Sequence, residues 1–131
     1  MLASLAITSC LGMTKKDEAA GRGQIWLADL GEPRGHEQAG DRPVIVFQAD
    51  ELQHLSTVVI IPLTTNLNRA SQATTPVVPQ GEGGLTQTSV ALCHQVRALD
   101  RRRLKRKFGD LSAERMSEIE VALAFVLGMP G

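Results

Sequence analysis

The chain has 131 residues, with 14 basic and 14 acidic side chains and no formal net charge. This length suits a single domain, and the charge balance excludes a protein that holds nucleic acid by net charge alone. The only two cysteines, Cys10 and Cys93, exclude a disulfide framework and point to a reducing compartment.

The stretch from Met1 to Gly12 is apolar, too short to span a bilayer, and without the basic start of a secretory signal. Ile7-Thr8-Ser9-Cys10 has the form of a bacterial lipoprotein cleavage box; the preferred alternative is translation from Met13. Residues 13–22 are small and charged, without apolar periodicity, and are expected to form a flexible lead-in. Residues 1–22 are therefore read as a flexible or mis-assigned extension, and 23–131 as one domain.

Gln24 to Leu30 predicts a strand packed through Ile25, Trp26 and Leu27. Gly31-Glu32-Pro33-Arg34-Gly35 breaks it and opens a loop that runs to Arg42. Pro43 is expected at the first position of a second strand, Val44 to Gln48, where its missing N–H costs least. The polar link from Ala49 to Ser56 leads to a third strand, Thr57 to Leu63. Asn66 to Thr88 reads as a mobile loop with one short edge strand at Val77-Val78. Ser89 to Cys93 and His94 to Ala98 read as the last main strands. Cys93 and His94 make a poor metal pair, since neighbours on a strand face opposite ways.

From Arg97 to Lys107 there are seven basic residues and one acidic, Asp100. That segment is either a weak phosphate-contacting patch or a solvated turn. Ser112 then caps a helix with Glu114 in its first turn, and Met116, Ile119, Leu123 and Val126 recur at helical spacing before Gly128 and Pro130 end it. Composition supports a mainly β, α+β domain, its core resting on Val, Ile and Leu. The basic segment has too few aromatic neighbours for a base-stacking platform.

The most informative stretch is Gly35-His36-Glu37-Gln38-Ala39-Gly40-Asp41-Arg42-Pro43. It sets a carboxylate and a guanidinium in one loop leading into a strand, so that both can face one cleft. Metal-free cleavage of a phosphodiester needs a base for the attacking hydroxyl, a cation for the developing phosphorane charge and an acid for the leaving oxygen. Glu37 is the candidate base and Arg42 the candidate cation, able to hold two phosphate oxygens at any working pH.

This stretch, with Val58-Val59-Ile60-Ile61-Pro62-Leu63-Thr64-Thr65 and with Ser89-Val90-Ala91-Leu92 running into Gln95-Val96-Arg97, resembles the MazF/PemK family of toxin endoribonucleases. The resemblance covers most of the chain after residue 22. It implies a small SH3-like β-barrel of the CcdB/MazF type with a C-terminal helix. It also implies a cytoplasmic, ribosome-independent, sequence-selective endoribonuclease acting on single-stranded RNA or mRNA, with no metal, cofactor or membrane partner. Arg42 and Thr64 match the positions most firmly tied to activity in that family. Thr64 is assigned a hydrogen bond to a non-bridging phosphate oxygen, while Thr65 faces the other way unless a bulge exchanges them.

His36 stands where members commonly carry Ser; its imidazole either supplies an acid or shapes the loop. Arg34, Gln38, Gln95 and Arg97 are further candidates for holding RNA, with Gln95 equally readable as a side chain bonded to backbone. Gln24 departs from the family's usual Asp, and a cost in local stability is expected from the missing ion pair. A homodimer is implied, with an antitoxin whose flexible tail fills the RNA groove. The competing class is a non-enzymatic barrel of the gyrase-poison type that acts by contact alone.

Overall fold

Ile25 and Trp26 are adjacent in sequence and both fully buried, so the first strand must be covered on both faces. The computed structural model describes residues 19–71 and 73–130. Its strands are β1 (Gln24–Asp29), β2 (Asp41–Val46), β3 (Thr57–Thr64), β4 (Val77–Val78), β5 (Ser89–Ala91), β6 (Arg97–Asp100) and β7 (Leu104–Asp110), followed by helix α1 (Ala113–Val126). All pairings are antiparallel, in the order β4-β5-β3-β2-β1-β7, with β6 also on β3.

β3 is shared along its length. β6 pairs with Thr57 to Ile60, and β5 takes over at Leu63 and Thr64. The path β6-β3-β2-β1-β7 curls round until β6 and β7, joined by the 3₁₀ turn Arg101–Arg103, stand at its two ends. Trp26, Ala28, Val44, Val46, Val58, Ile60, Leu99 and Leu104 fill the interior of this curl. The opposite face carries Ile25, Ile45, Ile61 and Leu63, against which α1 lays Ile119, Ala122 and Leu123. The expected mainly β fold, a small SH3-like barrel with a closing helix, is the architecture observed.

Ser112 caps α1 by accepting from the Arg115 N–H, as its position predicts. Met116 and Val126 flank the buried stripe of α1.

Four expectations change. β2 begins at Asp41, so Pro43 is an interior strand residue paired with Leu27; the ladder to β3 starts only at Val44, and Pro43 interrupts nothing there. Of the basic segment only Arg101–Arg103 form a turn, while Leu104 to Asp110, for which no strand was expected, form β7 along β1. The break expected between the strands Ser89 to Cys93 and His94 to Ala98 is a 3₁₀ turn over residues 93–95, which shortens the first to β5 and delays the second to β6 at Arg97. The segment from Asn66 to Thr88 is pinned at several points: Thr75 is buried with its hydroxyl donating to Arg69 O at 2.7 Å, and Leu85 lies in the core.

Gln24 fills its position without a charge. Its Oε1 accepts from the Gly21 N–H and from the Trp26 indole, both at 2.9 Å, so the missing ion pair leaves no orphaned donor. Of the expected lead-in, Ala20 is buried in the barrel interior and Arg22 pairs with Glu120 of α1 at 2.7 Å. The lipoprotein-like box and Met13 lie outside the described residues.

Candidate active site

The loop after β1 is closed at its base by its own backbone: Leu30 N–H donates to Gly40 O at 2.9 Å, and Gly40 N–H to Gly31 O at 2.8 Å. Near its tip, Glu37 N–H donates to Arg34 O at 3.1 Å, which turns the exposed Glu37 outward. Gln95 reaches this loop from the 3₁₀ turn before β6. Its Oε1 accepts from Gln38 N–H at 3.0 Å, and its Nε2 donates to His36 O at 3.1 Å.

β2 and β3 bring Arg42 and Thr64 to the same mouth. The ladder starts at Val44 opposite Pro62, and extending that register by two residues sets Arg42 opposite Thr64. Both share the parity of Val44 and Ile60, so they stand at the rim of the barrel interior. Arg97, paired with Ile60, belongs to that face too. Arg42 Nε donates to Ala39 O at 3.1 Å; among the described residues its other two guanidinium nitrogens have no hydrogen-bond partner. Thr64 Oγ1 accepts from Asn66 N–H at 3.2 Å, which leaves the hydroxyl proton available to a ligand oxygen.

Two clefts share Glu37 and Arg97 as a common wall. One, of about 520 Å³, is lined also by Gly31, Glu32, Arg34 and Arg103; the other, of about 200 Å³, by Gln38, Pro62, His94 and Gln95. Arg34, Glu37, Gln38, Gln95 and Arg97 are thus brought together. Arg42 and Thr64 are related by strand register and line neither cleft. His36 contributes only its carbonyl to the loop's bonding, and Thr65 is exposed just past the end of β3.

Arg103 is the cleft residue that the sequence did not single out. Its Nη1 donates to Asp29 O at 3.4 Å, and a Cβ on Gly31 would stand 3.1 Å from that same nitrogen. With φ at +82°, Gly31 meets both demands, a left-handed turn and room for a guanidinium. The rest of the basic segment is engaged elsewhere. Arg101 binds Leu55 O at 2.7 Å, Lys105 pairs with Asp41 at 2.8 Å, and Arg106 lies over the Phe108 ring. Hydrogen bonds from the Arg102 guanidinium and N–H pull the Asp100 pKa down to about 2. Cys93 is buried, and burial pushes its thiol up to about 12, so it carries no thiolate at neutral pH.

Among the described residues no helix is long and apolar enough to cross a membrane, and no group of three or more His, Cys, Asp or Glu could hold a metal ion. A further groove of about 620 Å³, walled by Pro76, Val77, Glu118 and Val121, lies between β4 and α1 and shares no residue with the two clefts.

Residues 21–127 match the sequence model of a family described as the PemK-like, MazF-like toxin of type II toxin–antitoxin systems. An endoribonuclease MazF from Staphylococcus epidermidis is 38% identical over 109 residues, covering 82% of this chain and 91% of that protein. A mycobacterial endoribonuclease solved in complex with its cognate antitoxin superposes with a TM-score of 0.72 at 26% identity, over 86% of this chain and 99% of that one. MazF from Deinococcus radiodurans shares the fold with a TM-score of 0.74 at 23% identity, over 86% of this chain and 100% of that one.

Proposed function

The chain belongs to the PemK/MazF-like family of type II toxins, and from that premise we propose that it is a sequence-selective, ribosome-independent endoribonuclease of single-stranded RNA and mRNA. What supports the proposed chemistry is that Arg42 and Thr64 lie just past the end of the β2–β3 ladder, each two residues beyond the Val44–Pro62 pair, the one with two guanidinium nitrogens unengaged among the described residues and the other with a hydroxyl proton available. In this reading Glu37 takes the 2′-hydroxyl proton and the 2′-oxygen attacks the adjacent phosphorus. Arg42 holds the non-bridging oxygens as charge builds on them, and Thr64 donates to one of these.

The P–O5′ bond breaks and the 5′-oxygen takes a proton, from His36 on the Glu37 loop or from His94, which lines a cleft together with Glu37. The products are a 2′,3′-cyclic phosphate and a 5′-hydroxyl; DNA, lacking the 2′-hydroxyl, is not a substrate. The test is purified protein on a long single-stranded RNA in EDTA, with fragment ends mapped by primer extension. Cuts at a short recurring motif are expected. Intact RNA together with gyrase trapped on DNA would replace this reading by the contact-acting barrel.

Arg34, Arg97 and Arg103 are proposed to hold backbone phosphates flanking the cut, with Gln38 and Thr65 beside the strand's path. Arg103→Ala is then expected to raise KM about tenfold, leave kcat within about twofold, and lower the slope of log affinity against log salt by about one. Steady-state cleavage from 50 to 200 mM salt measures all three.

The active form is proposed to be a homodimer, because one small barrel offers a short RNA-reading groove and two copies double it. The surface suited to pairing is the outer side of α1, where Val121 is 68% and Phe125 65% exposed beside the groove at Val77. Phe125→Glu is expected to shift the protein from dimer to monomer in sedimentation without unfolding it. An antitoxin that silences the toxin through a flexible tail laid in the RNA cleft, and a cytoplasmic location where mRNA is met, complete the proposal.

A further inference from the structure

Glu37 is bracketed. The carbonyl before it, on His36, accepts from Gln95 Nε2, and the N–H after it, on Gln38, donates to Gln95 Oε1. One amide thus grips the loop on both sides of a single residue and in both hydrogen-bonding senses. Gln95 is itself anchored to the sheet, since its N–H donates to Leu92 O at 2.8 Å, and Leu92 N–H donates to Pro62 O at 2.9 Å, two residues before Thr64 on β3. A continuous chain of bonds therefore runs from the loop that carries Glu37 to the strand that carries Thr64.

We propose that Gln95 is a positioning residue, whose side chain holds Glu37 in place on the wall shared by the two clefts while its amide stays on the loop backbone and off the RNA. This inference rests on the nuclease reading above. The amide suits the task because it offers one acceptor and one donor. A carboxylate at the same place keeps the acceptor but faces His36 O with a second lone pair, and only its protonated form recovers a donor.

The test compares the full-length wild type with Gln95→Leu and Gln95→Glu, using single-turnover cleavage of a mapped RNA from pH 4.5 to 8 and hydrogen exchange at the Gln38 amide. Gln95→Leu is expected to speed Gln38 exchange about tenfold and to lower kcat roughly 10- to 100-fold, with KM and the cleavage motif unchanged. Gln95→Glu is expected to match it at pH 8, and its rate relative to wild type to recover as the introduced carboxyl protonates towards about pH 4.5. A raised KM or a broadened motif with kcat intact would make Gln95 an RNA-reading residue and overturn the inference. Unchanged Gln38 exchange would overturn it equally. If the wild type cleaves no RNA, the catalytic role falls with the nuclease reading, while Gln38 exchange still decides whether the latch exists.

Discussion

Arg42→Ala is expected to lower kcat/KM about a thousandfold, the scale of losing the main donor to a transition-state oxyanion. Folding should be untouched, because Arg42 is exposed and its one described side-chain bond goes to Ala39 O within the same turn. That bond matters for the chemistry. With Nε held by the loop, the guanidinium plane is set before RNA arrives and its remaining nitrogens can meet two phosphate oxygens. Arg42→Lys should therefore restore little, since a point charge on a flexible stem cannot keep the Ala39 contact and bridge two oxygens at once. Single-turnover cleavage in EDTA, alongside thermal melts of both variants, separates lost chemistry from lost fold. Retention of cleavage within about tenfold of wild type in Arg42→Ala would remove Arg42 from the centre of the mechanism.

What could be read from the sequence followed the apolar runs. β1, β2, β3, the edge strand at Val77-Val78 and the Ser112-capped helix each announce themselves through periodicity or a cap, because their side chains are sorted by one local environment. β7 does not. Of Leu104 to Asp110 only Leu104 is buried, and the register against β1 shifts between Ile25 and Trp26 and again between Leu27 and Ala28, which destroys the period of two. Lys105 looked like solvated surface because its partner Asp41 lies far away in sequence, and Arg106 and Lys107 are engaged within the strand, by Phe108 and Asp110. The site divided on the same line. Glu37 and Arg42 lie five residues apart, on a loop and at the start of the strand it enters, and are visible together, whereas the bonds of Gln95 to residues 57 and 59 positions away, and the place of Arg103 beside Gly31, arise only from strand pairing.

The largest effect on stability is expected at a position with no side chain. Gly84 has φ at +78°, and a Cβ built there falls onto the Phe108 carbonyl oxygen in the middle of β7. Both parties are backbone, and although Phe108 falls at a register shift of the ladder, its neighbours Lys107 and Gly109 are both paired with β1, which limits how far the carbonyl can move. Left-handed strain of about 1 to 2 kcal/mol adds to overpacking of about 1 to 3 kcal/mol. Gly84→Ala should therefore cost about 3 kcal/mol and lower Tm by roughly 10 °C at fixed protein concentration. Gly81→Ala is the internal control: its φ is +97°, but nothing lies within 4 Å of the added Cβ, so it bears the strain alone. Urea unfolding of both variants decides the matter, and equal costs would mean that the approach of the 82–84 turn to β7 contributes nothing. A Gly84→Ala protein that is still folded at 20 °C should cleave RNA at the wild-type rate per folded molecule, since Gly84 lines neither cleft. The turn beneath β7 would then serve to close the barrel, leaving cleavage to the residues at its mouth.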